Sequence, residues 1–360
     1  MLTDTDYMAR ALALAERGRG RTSPNPMVGA VIVDGEGVVV GRGAHEFAGG
    51  PHAEIHALRD AGAHARGATL YCTLEPCSHV GRTGPCAPAV VEAGIARIVV
   101  ATGDPNPLVN GAGLDTLRAR GLTVTTGILD AEARALNAPF FSLMTRRRPF
   151  VTMKVALSAD HRIATRSGIR TPLTGSAANR LVHRDRAEVD AIAVGSGTIL
   201  ADDPSLTARG AFRHRPLARI VFDTRLRVPP SARLLSTLSA GPVIIVSSRP
   251  AVEAAADRAG RLTEAGAEIL AVDRDPPLVE ALEGLASKGI SSVIVEGGVA
   301  LHRAFWDARL VDRVQIYKTP HQLGPEALEW LPFQLPGLGP ITIRQLGADT
   351  LLEAYVHGAD

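Results

Sequence analysis

Two successive α/β units, each a sheet with helices alternating along the chain, are what this sequence predicts, and three observations carry that expectation. The chain has 360 residues, enough for about two domains at roughly 150 residues each. Short apolar runs suited to strands alternate with stretches of helical period along nearly the whole length. At Thr145-Arg146-Arg147-Arg148-Pro149 a basic run and a proline interrupt the pattern just before a fresh apolar strand. The boundary therefore falls between domains 1–147 and 148–360.

In the first domain an apolar period at Tyr7, Met8, Ala11, Leu12 and Ala15 predicts a helix that Asp4 or Asp6 caps and Gly18 ends. Strands at 28–33 and 38–41 flank Asp34-Gly35-Glu36-Gly37, a run suited to a hairpin turn. A helix at 53–61, a strand at 68–74, a helix at 87–92 and a strand at 97–101 follow. A helix at 114–120, a short strand at 122–125 and a helix from 130 to about 144 complete a mixed sheet with its helices. The arginine run after it reads as a solvated helix end, where cations suit the dipole.

The second domain alternates again, with strands at 150–157, 191–194, 220–223, 243–247, 269–272 and 293–296, and helices at 177–186, 252–265 and 278–287. Those strands are apolar at nearly every position, as in a sheet covered on both faces. The stretch 312–357 reads as antiparallel edge strands.

Composition excludes several classes of function. At 46% hydrophobic and 21% charged, with 36 Gly and 24 Pro, the chain is neither disordered nor collagenous. Thirty-nine basic against thirty-seven acidic residues give no dense cationic face for a duplex. With 4% aromatic residues there are few stacking platforms for single strands, so nucleic acid is not an expected partner. No apolar stretch reaches the ~18 to 20 residues that span a bilayer, and the first ten residues lack a secretory pattern. The expected compartment is the cytoplasm, with no membrane partner. Three cysteines, Cys72, Cys77 and Cys86, lie in one short segment, which points to metal or thiol chemistry.

His52-Ala53-Glu54, followed by Pro76-Cys77 and then Cys86, supplies one imidazole, two thiols and a carboxylate at the starts of predicted helices. These are zinc-type ligands, and three protein ligands leave a position for water, as catalytic sites do. Residues two apart on a regular helix point about 200° apart, so His52 and Glu54 share a pocket only if His52 sits at the non-helical entry. Glu54 is then placed to move a proton for a metal-activated water. The pattern matches the zinc-deaminase signature H-x-E with P-C-x-x-C, except that the stretch Ser78 to Pro85 replaces the two residues between the thiols. His79 and Arg82 in that insertion bring a hydrogen-bonding ring and a cation suited to a phosphorylated substrate.

Other readings of these residues exist. Cys77 and Cys86 read alone are buried thiols, and Cys72, inside a strand, reads as a small core residue. His52 and His56 have metalloprotease spacing, but that motif needs Glu where Ala53 stands. Asn25, His45, Asp104 and Asn106 are individually weak, because turn chemistry explains Asn25 and Asp104 in their proline-flanked runs.

With these residues in place, the sequence resembles the bifunctional riboflavin-biosynthesis deaminase/reductase family. The likeness rests on Ser23-Pro24-Asn25-Pro26-Met27-Val28-Gly29-Ala30, on His52-Ala53-Glu54, on the run Thr73 to Cys86 with its long inter-cysteine loop, and on Asp104-Pro105-Asn106-Pro107. It extends to Lys154-Val155-Ala156-Leu157-Ser158 and the segment after it, to Gly195 through Arg209, and to Val295-Glu296-Gly297-Gly298. The resemblance implies a cytidine-deaminase-like first domain that releases the 2-amino group of a diaminopyrimidinone ribosyl phosphate as ammonia. His52, Cys77 and Cys86 would hold one zinc ion, Glu54 would shuttle the proton, and Asn25, His45, His79, Arg82, Asp104 and Asn106 would contact substrate.

For the second domain the resemblance implies a dihydrofolate-reductase-like fold that transfers hydride from NADPH to the opened ribose. Lys154, Asp202 and Glu296 take its catalytic positions. Leu157, Thr198, Asp202, Gly297 and Gly298 fall near the cofactor, and Arg186, Leu206 and Arg209 near the substrate. No Rossmann glycine fingerprint is present, since Gly195-x-Gly197 lacks the third glycine. Glycines 195, 197, 297 and 298 suit close approach of a pyrophosphate, and equally ordinary strand-end turns. Asp202 and Asp203 read alone equally suit a cap before Pro204. The chain departs from the family pattern at His161, where glycine is usual, at Arg170 and Pro172, and at Val299-Ala300.

Two competing functions follow from the same residues. One is a zinc deaminase of another nucleoside or tRNA base with a non-catalytic second domain. The other is a structural zinc closed by His79 or Cys72. A homo-oligomer is compatible with the sequence.

Overall fold

The computed structural model describes residues 2–78, 84–107, 109–169, 171–273, 277–330 and 337–356. Its chain divides into two compact units between Arg147 and Arg148. The first contains α1 (Asp4–Ala15), β1 (Gly29–Val33), β2 (Val39–Ala44), α2 (Ala53–Ala61), β3 (Thr69–Leu74), α3 (Cys86–Glu92) and β4 (Arg97–Thr102). It ends with α4 (Ala112–Ala119), β5 (Thr123–Thr126), α5 (Asp130–Leu136) and α6 (Ala138–Arg146). Its sheet runs β2-β1-β3-β4-β5, antiparallel from β2 to β3 and parallel from β3 to β5.

Strand periodicity builds two cores from this sheet, because alternate side chains leave opposite faces. Ala30, Ile32, Leu70, Cys72 and Ile98 pack under the alanine stripe Ala53, Ala57 and Ala61 of α2. Val31, Val33, Tyr71 and Val99 pack on the other face with Tyr7, Met8 and Ala11 of α1. Cys72 is thus a core residue.

Three local expectations are corrected in this unit. The α1 cap is Thr3, whose side chain accepts from the Asp6 amide while Asp6 reaches back, a capping box that leaves Asp4 inside the helix. The single helix expected from 130 breaks into α5 and α6 at Asn137, with Pro139 in the first turn of α6, where a missing N–H costs nothing. Of the arginines, Arg147 takes the left-handed helix cap, but Arg148 is not solvated: it makes a bidentate ion pair with Asp312 at 2.6 and 2.7 Å.

The second unit contains β6 (Phe150–Leu157), β7 (Arg162–Ala164), α7 (Ser176–Glu188), β8 (Ala191–Gly195), α8 (Ser196–Asp202), β9 (Ala218–Phe222) and β10 (Val243–Ser248). It continues with α9 (Arg249–Ala254), α10 (Ala256–Glu264), β11 (Ala267–Val272), α11 (Leu278–Ser287), β12 (Ser292–Val295), α12 (Val299–Asp307) and β13 (Arg313–Lys318). Three strands close it: β14 (Leu328–Glu329), β15 (Thr342–Leu346) and β16 (Asp349–Tyr355).

Among the described residues nine strands form one sheet in the order β11-β10-β9-β8-β12-β6-β13-β16-β15, and β14 pairs with β7 in a separate ribbon. The sheet is parallel from β11 to β13 and antiparallel at β16 and β15. The expectation of antiparallel edge strands after residue 312 is therefore corrected for β13, which lies inside the sheet, parallel to β6. Alternate residues of β8 feed the two faces, Ala191 and Ala193 one core and Ile192 and Val194 the other. Because β12 is inserted between β8 and β6, the strand order reverses there. The crevice at the carboxyl ends of such strands is where ligands bind in open α/β sheets. Helices α8 and α12, neither of them expected from periodicity, start at that edge. Among the described residues no helix is long and apolar enough to cross a membrane.

Candidate functional site

In the first unit His52 is the N-cap of α2, extended at φ −74° and ψ 162°, the non-helical entry that a shared pocket with Glu54 requires. Cys86 opens α3. Cys77 corrects the expectation of a helix start: it lies in the loop after β3. Its carbonyl accepts the Ala87 amide at 3.0 Å and its sulfur accepts the Cys86 amide at 3.4 Å. The His52 Nδ1 is 3.2 Å from the Cys86 sulfur and 3.5 Å from that of Cys77, and one donor atom from each of the three lies within 4.8 Å of the others.

The electrostatics of this cluster follow from its packing. Hydrogen bonds from the Cys86 thiol and from His52 lower the Cys77 thiol below its ordinary value, the direction that favours a metal-binding thiolate. Glu54 is 3% exposed, and burial pushes its carboxyl up to about 7. A carboxyl poised near neutrality suits general acid and base work.

Around this cluster, His45 places Nδ1 3.0 Å from the Pro51 carbonyl, so that nitrogen carries the proton, and Nε2 accepts from the Asn25 amide at 3.3 Å. Burial lowers the affinity of His45 for a second proton, and its ring meets that of His52 edge to face. Asp104 is buried, which pushes its carboxyl up to about 6, and its Oδ1 accepts the Asn106 amide at 2.8 Å. His79 and Arg82 lie outside the described residues.

Two residues that sequence reasoning passed over hold these pieces in place. Glu75, buried at the end of β3, accepts four backbone amides. Asp104 and Gly111 donate to Oε2 at 3.3 and 3.0 Å, and Gly113 and Leu114 donate to Oε1 at 3.0 and 3.3 Å. A carboxylate there satisfies the orphan amides of α4 and its dipole. A Cβ at Gly113 would fall 1.9 Å from the Pro76 carbonyl, so the first turn of α4 seats directly against the Cys77 loop. Asn137, at the helix break, accepts the Met27 amide at 2.7 Å and donates to the Met27 carbonyl at 2.9 Å, fixing the turn that carries Asn25. An acid beside Pro76-Cys77 and an Asn two residues before a proline were the available signals.

In the second unit a cavity of about 700 Å³ opens at the reversal in strand order, and Lys154, Thr198, Asp202, Glu296, Gly297 and Gly298 all line it. Lys154 Nζ stands 3.6 Å from Glu296 Oε2 and 5.5 Å from the centre of the Tyr317 ring. Arg186 does not line the cavity but grips Glu296. Asp202 is the last residue of α8, and Asp203, left-handed at φ 39°, is its cap. A Cβ at Gly297 would strike Leu301, whereas Gly197 and Gly298 face open space. Gly297 is thus required by packing, and the other two leave backbone accessible to a ligand.

Other expected contacts are placed differently. Leu157 and Leu206 are core side chains at 3% and 5% exposure, so a ligand meets only their backbone; Leu206 is left-handed at φ 51°. Arg209 is exposed, and its amide donates to His183 at 3.1 Å. His161 adopts φ 63°, the region where glycine carries no penalty, so the glycine expected there from the family likeness would sit without strain. Arg170 lies outside the described residues, while Pro172, Val299 and Ala300 line the cavity and bring no hydroxyl to it.

The fold and site define a two-part protein, a cytidine-deaminase-type domain with a metal-binding set followed by a reductase domain related to dihydrofolate reductase. Residues 1–102 match the cytidine and deoxycytidylate deaminase zinc-binding region, and residues 149–352 match the RibD C-terminal domain. The chain is 41% identical over 321 residues to the riboflavin biosynthesis protein RibD of Aquifex aeolicus, covering 89% of this chain and 88% of that one. The solved RibD structure of Acinetobacter baumannii superposes with TM-score 0.86 at 36% identity, covering 98% of both chains. The Thermotoga maritima structure described as a diaminohydroxyphosphoribosylaminopyrimidine deaminase/5-amino-6-(5-phosphoribosylamino)uracil reductase does so with TM-score 0.84 at 31% identity, again over 98% of both. This chain belongs to the RibD family of riboflavin biosynthesis proteins. A zinc deaminase of another nucleoside or tRNA base with a non-catalytic second domain is not favoured.

Proposed function

We propose that the two units catalyse consecutive steps on one small molecule. The chain is a bifunctional deaminase and reductase of riboflavin biosynthesis. In this reading the first unit hydrolyses the 2-amino group of 2,5-diamino-6-(5-phosphoribosylamino)pyrimidin-4(3H)-one. The second reduces the ribosyl side chain of the product to ribityl with NADPH. The observation that carries the reading is the convergence of His52, Cys77 and Cys86 beside the buried Glu54.

One nitrogen and two sulfurs are donors zinc prefers, and a three-residue set fits a catalytic ion. Held by His52, Cys77 and Cys86, zinc would supply the Lewis acidity that makes water a nucleophile at neutral pH. Glu54 accepts the proton of the attacking water on its carboxyl and returns it to the departing amine. His45, Asn25, Asp104 and Asn106 orient the pyrimidine and ribose, and His79 and Arg82 are assigned to substrate on family likeness alone. Reduced thiols in such a set suit the cytoplasm.

In the second unit, accessible backbone at Gly197 and Gly298, with Thr198 beside it, fits a dinucleotide, and NADPH would supply the hydride. Lys154 presents its cation in the cleft, steadied by Glu296 and the Tyr317 ring. Asp202 lines the same cleft, Arg186 acts through its grip on Glu296, and Arg209 and Leu206 are assigned to the substrate and Leu157 to the cofactor on family likeness alone. Incubating the chain with the diamino substrate, with and without NADPH, tests both halves. Ammonia in both arms with nucleotide oxidation in one is the expected result; no ammonia refutes the first assignment, and no oxidation the second.

A further inference from the structure

The reductase cleft holds a buried imidazole that the proposed chemistry does not use. His302, on α12, is 1% exposed and lines the same cavity as Lys154 and Glu296. Both ring nitrogens are engaged within the protein. Nε2 lies 3.2 Å from the Val295 carbonyl, and Nδ1 accepts the Trp330 indole N–H at 3.1 Å. A carbonyl on one nitrogen and a donor on the other put the single proton on Nε2 and leave the ring neutral. Burial agrees, holding the imidazole down to about 4.

The two ends of this bridge belong to different parts of the cleft. Val295 closes β12 and is followed by Glu296, the anion shared by Lys154 and Arg186. Trp330 is 5% exposed, and its amide points to the His161 carbonyl at 3.4 Å. The two residues before it form β14 and pair with β7, which leads into the cavity wall formed by residues 166–169 and 171–174. The bridge Trp330–His302–Val295 therefore ties that wall to the strand end that presents Glu296.

We infer that His302 is a positioning residue of the reductase, holding the Val295 carbonyl, and through it the Glu296 carboxylate, in register with the β7–β14 wall. The inference rests on the reductase reading. It needs a side chain with one donor and one acceptor at opposite ends. Glutamine retains that pairing; leucine leaves the indole N–H without its acceptor in a dry interior and removes the side-chain donor from the Val295 carbonyl.

The test compares full-length H302Q, H302L and W330F with the parent, with ammonia release by the first unit as the internal control. H302L is expected to lower reductase kcat by about 10- to 100-fold, as small displacements of reacting groups do. The KM for NADPH should stay within about twofold, because the lost interaction acts on catalytic geometry and not on cofactor affinity. H302Q should recover most of that kcat, and W330F, which keeps much of the ring bulk, should fall between. An unchanged kcat in H302L overturns the proposal, as does H302Q as impaired as H302L; if H302L does not fold, an unchanged kcat in W330F does the same. Nitrogen-15 NMR of histidine-labelled protein should show the Nε2–H tautomer, with the Nδ1 resonance moving in W330F. An Nδ1–H tautomer overturns the bridge without any turnover, so its failure is distinguished from failure of the reductase reading.

Discussion

Arg186 holds Glu296 by two parallel hydrogen bonds, Nε to Oε1 at 2.8 Å and Nη2 to Oε2 at 2.7 Å. Lys154 approaches the same carboxylate from β6. Burial by itself would raise the Glu296 carboxyl, but the Lys154 and Arg186 cations reverse that and hold it down to about 2. Two cations on one anion leave this cluster of three with a net positive charge, which favours an anionic group nearby.

The pH dependence of stability follows from that pairing. The folded-state value of Glu296 lies below the ordinary 4.5, so its contribution is present above about 4.5 and is lost as pH falls toward 2. Urea unfolding at several pH values should show the wild type weakening through that window, and E296Q weakening less steeply. Parallel curves for the two would contradict the pairing.

Glu54→Gln is expected to retain zinc while losing deamination by about 10²- to 10⁴-fold, the usual worth of a positioned acid or base. Ammonia release and elemental analysis on the same preparation check it. Near-normal turnover would remove Glu54 from the proton path.

Cys86→Ser should lose the metal and ammonia release while NADPH oxidation persists, because the two sets of residues sit in separate compact units and metal binding is local to one. Simultaneous loss of both activities would show the units to be interdependent.

Glu75→Ala should destabilise the first unit by about 2 to 4 kcal/mol, since buried amides are left without an acceptor. It should also raise the deaminase KM by freeing the loop that carries Asp104 and Asn106. Denaturant unfolding and steady-state kinetics measure the two effects, and an unaltered KM would separate Glu75 from substrate binding.

Asp202→Asn is expected to abolish NADPH oxidation with the deaminated intermediate and to leave ammonia release intact. Unchanged reduction would reassign Asp202 to the end of α8 alone.

Much of this molecule is written locally. The alternation along β1, the alanine stripe of α2 and the continuous apolar runs of β6 and β10 each record which side chains face a core, and these elements fall close to where their periodicity puts them. His52, Glu54, Cys77 and Cys86 were legible because donors of those types at that spacing have few other uses. Helices α8 and α12 escaped because each is short and begins in a glycine-rich turn that reads as a strand-end loop. At Asn137 the local cue was Pro139, which cannot continue a helix, whereas the pairing of Asn137 with Met27 joins residues far apart in sequence.

By itself, then, the sequence determined the order of elements, the metal-type donor set and the family likeness, all properties of residues read singly or over short windows. Tertiary structure alone decided that Glu75 ties the Asp104 loop to the Cys77 loop, that β13 lies inside the sheet, and that Trp330, His302 and Val295 form a bridge beside Glu296. Such pairings join residues distant along the chain, and hydrogen bonds between them depend on three-dimensional register that no local pattern encodes.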